Sequence, residues 1–70
     1  MRKLIRRDRE GHTEYDLDTQ EAIQELERAM NQGMLAVAVK GEQAVQVTDP
    51  REAAVREAAE VRMFWPLMGG

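Results

Sequence analysis

Residues Glu60-Val61-Arg62-Met63-Phe64-Trp65-Pro66 can be read in two ways, and the choice decides the fold. As a strand, Val61, Met63 and Trp65 point to one side while Arg62 and Phe64 point to the other. As the end of a long helix, Ala54, Ala58, Val61 and Trp65 form a stripe at helical spacing that stops before Pro66, because proline cannot continue the backbone ladder. The β-branched and aromatic content of the stretch favours the strand.

Upstream of it lies the alanine-rich segment that either feeds that strand or swallows it. Asp49-Pro50 reads as a helix start, with proline at the first helical position and Glu52 at capping-box spacing, and the alanines through Glu60 have high helix propensity. Before that, Met34-Leu35-Ala36-Val37-Ala38-Val39 is an apolar run of strand length bounded by Gly33 and Gly41, and is expected to be the central strand. Lys40-Gly41-Glu42 turns it back into Ala44-Val45-Gln46-Val47, with Val45 and Val47 on one face.

The first half repeats this grammar. Leu4 and Ile5 sit among basic residues in a first strand, Glu10-Gly11 marks a turn, and Thr13, Tyr15 and Leu17 alternate with Glu14 and Asp16, so a hairpin is predicted. Asp18 is placed to cap a helix with Glu21 three residues on. Ala22, Ile23, Leu26, Ala29 and Met30 form its apolar stripe, and Gly33 stops it. Leu26 is expected to pack on Val37 and Val39.

Size and composition narrow the possible functions. The chain has 70 residues and no cysteine, so disulfides and thiolate metal sites are excluded and cytoplasmic life is the default expectation. A domain this small buries only about 60% of the surface its unfolded chain exposes, too little to enclose a deep active site. No apolar run approaches the roughly 20 residues of a membrane span. There is no serine and only one histidine, His12 in the first turn, so nucleophile and base pairs lack raw material and no enzyme is expected. Glu14, Asp16 and Asp18 could share a cation, yet the calcium-loop pattern is missing; no metal site and no bound cofactor are expected.

Charge is uneven. The net charge is −3, yet Arg2, Lys3, Arg6, Arg7 and Arg9 crowd the first strand and turn. They can engage an acidic partner, or they can cover a solvated strand face with their stems over apolar neighbours. Nucleic acid is disfavoured, because no aromatics interleave the arginines and the remainder is acidic.

Past Pro66 the sequence runs Leu67-Met68-Gly69-Gly70. Two glycines without Cβ atoms let a backbone thread a narrow channel and leave a carboxylate unhindered; an ordinary loose end reads the same way. Together, the strand order and the segment Glu60 to Gly70 resemble the ubiquitin-like β-grasp proteins, and within them the sulfur-carrier branch, the small subunit of molybdopterin synthase and its thiamine-pathway relative. Val37-Ala38-Val39-Lys40-Gly41-Glu42 is similar to their mid-chain hairpin. Trp65 stands where those tails have a second proline.

The resemblance implies an α+β fold with a mixed sheet on one main helix, in the order ββαββ, short helix, β. Residues 1–66 would form one domain and 67–70 a flexible diglycine tail. It further implies a carrier terminus at Gly69 and Gly70, activated by an E1-like adenylating enzyme that consumes ATP, and delivery to a sulfur-accepting or target protein. Phe64, Trp65, Pro66, Leu67 and Met68 would anchor the tail in its partner. The alternative is a non-catalytic bacterial or phage protein-binding module with an incidental diglycine.

Overall fold

The computed structural model describes residues 1–66. Its elements run β1 (Lys3–Asp8), β2 (Gly11–Asp16), α1 (Gln20–Asn31), β3 (Leu35–Lys40), β4 (Gln43–Gln46), α2 (Ala53–Glu57) and β5 (Glu60–Phe64). The five strands form one mixed sheet in the order β2-β1-β5-β3-β4, with the two helices on one face. The stretch that admitted two readings is therefore a strand, and it holds the middle of the sheet. It runs parallel to β1, pairing Leu4 with Val61 and Arg6 with Met63, and antiparallel to β3, pairing Ala38 with Val61 and Ala36 with Met63.

That position explains why the alanine-rich helix ends early. α2 has only five residues, and Ala58 is already extended at φ −69°, ψ 143°. Ala59 is claimed by the sheet on both sides: its carbonyl accepts from Lys3 and its N–H donates to Val39. Pairing on two flanks, with Val61 and Met63 wholly buried, outweighs an intrinsic preference worth a few tenths of a kcal/mol per residue. The expected central strand, Met34 to Val39, takes the neighbouring position instead, between β5 and the edge strand β4.

Both helix starts differ from the sequence expectation. The N-cap of α1 is Thr19, whose hydroxyl accepts from Ala22 N–H at 3.2 Å and donates to the Asp16 carbonyl at 2.7 Å. Asp18 is unavailable because its carboxylate receives Arg2 at 2.6 and 2.9 Å. In the second case Glu52 is itself the N-cap of α2. Its carboxylate reaches back to the N–H groups of Thr48 (2.7 Å) and Asp49 (3.3 Å), closing a turn ahead of the helix rather than its first turn.

The C-terminus of α1 ends as expected. Gly33 has φ +103°, its N–H donates to Met30, and Met34 N–H donates to Ala29, the paired bonds of a Schellman motif. Ala29 and Met34, at its two ends, are both buried.

The core lies between the helices and the sheet. Leu4, Val61, Met63, Ala36 and Ala38 face Ala22, Leu26 and Ala29 of α1 and Val55 of α2. Leu26 thus meets the face of β3 that carries Ala36 and Ala38, not Val37 and Val39. The two valines are half-buried on the opposite face, where Val37 stands between Arg62 and Gln46, and Val39 between Glu60 and Ala44. Small residues go to the helix side because α1 must approach the backbone there. Val45 does share the helix-side face with Val47, yet β4 is an edge: Val47 is buried and Val45 is 51% exposed.

Candidate functional site: the groove at the end of the central strand

The strongest surface feature forms where β5 leaves the sheet. Phe64 and Trp65, 36% and 44% exposed, are large apolar side chains left in contact with solvent. With Pro66 they form one wall of an open groove of about 830 Å³; the turn residues Arg7, Asp8, Arg9 and Glu10 form the other.

Local sequence explains this layout. Arg7 and Phe64 each follow the Arg6–Met63 pair by one residue, so both turn to the sheet face away from the helices. Trp65 turns back toward α1, and its ring comes within 4.0 Å of the point where a Cβ on Gly33 would sit. On the turn, Asp8 Oδ1 accepts from Glu10 N–H at 2.9 Å, holding Arg9 and Glu10 outward.

Strand alternation divides the five basic residues of the first strand and turn. Arg2 closes the end of α2: its Nη1 donates to the carbonyls of Val55 (2.9 Å), Arg56 (2.7 Å) and Ala58 (3.1 Å), and the rest of the guanidinium binds Asp18. A cation there also suits the negative end of the helix. Arg6 faces the helices and donates to Glu25 at 2.7 Å, and Glu25 in turn holds Arg28 at 3.3 Å. The Nε of Arg6 is buried 3.7 Å from Asp8 Oδ2, beyond hydrogen-bond reach.

Lys3, on the open face, binds Glu14 at 3.1 Å. That hydrogen bond and the ammonium charge, with His12 adding to both, hold the Glu14 carboxyl below its ordinary pKa. Only Arg7 and Arg9 line the groove, and neither takes part in an ion pair among the described residues. Two of the arginines that look like a binding patch in the sequence are thus structural, and two remain beside the aromatics.

Phe64, Trp65 and Pro66 stand together as one surface, while Leu67, Met68, Gly69 and Gly70 lie outside the described residues. Sequence reasoning did not single out Asp8 and Glu10 as groove residues. No local signal marks them, since their turn comes beside the end of β5 only because β1 and β5 run parallel. Among the described residues no cluster of three His, Asp or Glu side chains could hold a metal ion, and no helix is long and apolar enough to cross a membrane.

The arrangement defines a small α+β domain with a groove of aromatic and mixed-charge side chains beside the end of its central strand. No protein-family model, curated protein or solved structure matches the chain.

Proposed function

We propose that this chain is a ubiquitin-like β-grasp domain that presents the segment beyond Pro66 to a partner, as a sulfur carrier or protein modifier activated at the Gly70 carboxylate. The observation that carries the reading is the placement of β5. Hydrogen-bonded to a neighbour on each side, it anchors the departing segment, while Phe64 and Trp65 at the exit stay exposed for docking. The element order, two strands, helix, two strands, short helix, strand, supports the β-grasp assignment.

The chemistry asks little of the domain itself. A carboxylate is a poor acyl donor because oxide is a poor leaving group. In an E1-like enzyme the Gly70 carboxylate oxygen attacks the α-phosphorus of ATP and pyrophosphate departs. A sulfide equivalent supplied by the partner then attacks the acyl carbon, and AMP leaves with the oxygen. Gly70 is left as a thiocarboxylate, and the partner supplies nucleophile and base.

This reading requires Gly70 to end the mature chain, which the intact mass of protein isolated from its native host measures directly. With ATP and a host adenylating enzyme, the protein should then support pyrophosphate exchange and gain about 16 Da, sulfur replacing oxygen. Deleting Gly70 should abolish both signals. Persistence of exchange in the deletion variant would end the carrier reading.

A second reading, a non-catalytic bacterial or phage protein-binding module, is favoured by the groove itself. Arg7, Asp8, Arg9 and Glu10 on one wall and Phe64, Trp65 and Pro66 on the other form it without any terminal carboxylate. Tryptophan and arginine are the residues most enriched at binding hot spots. A partner captured equally well by the full chain and by the Gly70 deletion, and lost with Trp65→Ala, would select this reading over the first.

A further inference from the structure

The sheet has two edges, and they are finished differently. β2 presents the carboxylates Glu14 and Asp16 beside His12, and its neighbours Glu10 and Asp18 are acidic too. Charges along an edge are the usual defence against pairing with another chain. β4 reads Gln43-Ala44-Val45-Gln46 and has no charge within it.

The hydrogen-bond register shows which groups of β4 are free. Lys40 pairs with Gln43 across the two-residue turn Gly41-Glu42, where Gly41 has φ +60°, and Val47 N–H donates to Ala36 at 2.8 Å. The odd-numbered residues therefore direct their backbone polar groups to β3. By the alternation of antiparallel ladders, Ala44 and Gln46 direct theirs outward to an edge that no strand among the described residues occupies.

Val45 stands between them, on the helix-side face. It borders a shallow hollow with Ala38, Ala54 and Glu57 that no other element covers among the described residues.

We propose that β4 is a homotypic edge: two copies of this chain pair antiparallel through it, about a two-fold axis passing by Val45, and join their sheets into one. In that register Ala44 lies opposite Gln46 of the second copy, and each such pair exchanges two backbone hydrogen bonds. Val45 meets Val45 of the second copy at a non-hydrogen-bonded position, where side chains approach most closely.

A second copy fits better than an unrelated strand because the edge is self-complementary. Its centre is uncharged, and the first charged position, Glu42, falls opposite Thr48 rather than another carboxylate. A two-fold edge contact of this kind closes on itself and does not propagate into a fibre through β4. The interface is short, so it belongs with weak, reversible associations.

The test is sedimentation of the full chain from about 10 μM to about 1 mM, a range that spans weak Kd values, together with amide hydrogen exchange at both ends of the range. Dimer should grow with concentration, and the Ala44 and Gln46 amides should gain protection at high concentration while the Val45 amide, already bonded to β3, changes little. Val45→Lys places like charges on the axis at a position already half exposed, and should lower dimer at a given concentration about tenfold or more with the fold intact by circular dichroism. A second variant, Gln46→Pro, removes one outward donor and should act in the same direction.

A chain that stays monomeric at 1 mM overturns the proposal. So does a dimer that survives Val45→Lys, or one that leaves the Ala44 and Gln46 amides unprotected. Protection that appears only when an unrelated extended peptide is added would also overturn it and make β4 an edge for a different partner.

Discussion

On its helix-covered face the sheet presents Leu4, Val61, Met63, Ala36 and Ala38, all buried, whereas the same strands present Lys3, Ile5, Arg62, Val37 and Phe64 on the other face, where no second layer lies among the described residues. The contrast separates a packed face from a solvated one. One face is closed by volume and contact. The other is built of aliphatic side chains bridged by charged pairs, Lys3 with Glu14 and Arg62 with Glu60, and it grades into the groove at Phe64 and Arg7. A half-buried strand face can be covered by long charged side chains whose stems shield apolar neighbours, so no second layer is needed for the domain to fold.

The largest expected effect tests the closed face. Leu26→Ala should cost about 2–5 kcal/mol, because the side chain is fully buried and its loss leaves a cavity. Val37→Ala, on the open face, should cost about 1 kcal/mol, since much of its surface is already near water. Chemical denaturation compares the two directly. Equal losses would mean that the faces are not distinct in energy.

Arg2 offers the next test. Arg2→Met removes donors from three carbonyls at the end of α2 and strands Asp18, and should cost about 1–3 kcal/mol. Arg7→Met should stay within about 0.5 kcal/mol, as surface substitutions without partners do. If the two variants melt together, the division of the basic residues into structural and free ones is wrong.

The groove aromatics should matter less to folding than their size suggests. Phe64→Ser and Trp65→Ser should each lower stability by less than about 1 kcal/mol, with the tryptophan the more costly because its ring lies near Gly33. A loss of several kcal/mol for either would move it from the exposed surface into the core.

The smallest effect is electrostatic. Glu14 has a folded pKa below its ordinary value, so the contribution of its pairing with Lys3 is present above about pH 4.5 and fades as pH falls through the lowered folded value. Titrating the Glu14 carboxyl by NMR should show its pKa return upward in Lys3→Met. No change in that variant would remove Lys3 as the cause.

Much of this architecture was legible in advance, for reasons that differ by element. The first hairpin, the stripe of α1 and its glycine stop each depend on local periodicity or on a backbone angle only glycine takes easily, and such signals survive in a single sequence. The helix starts were misplaced by one to three residues, because Asp18 was bound by Arg2 from 16 residues away and Glu52 capped a turn instead of a box. Neither competitor is visible locally. Of the groove, the aromatics and Arg7 and Arg9 are legible as candidate surface residues, but Asp8, Glu10 and the meeting of the two walls are not, because a turn and a strand end 54 residues apart come together only when β1 and β5 run parallel.

By itself the sequence determined which segments are apolar, where turns must fall, and that no thiol, serine or second histidine is available for chemistry. The strand at Glu60–Phe64 was already favoured by its alternation, whereas two things came only from distant contacts: that Ala36 and Ala38 rather than Val37 and Val39 face α1, and that Arg2 and Arg6 serve the fold while Arg7 and Arg9 face a groove. The cause is shared by these two. An unbroken apolar run or a cluster of arginines carries no period, so its orientation is set by whichever partners complete the hydrogen bonds and the packing, and those partners are distant in the chain.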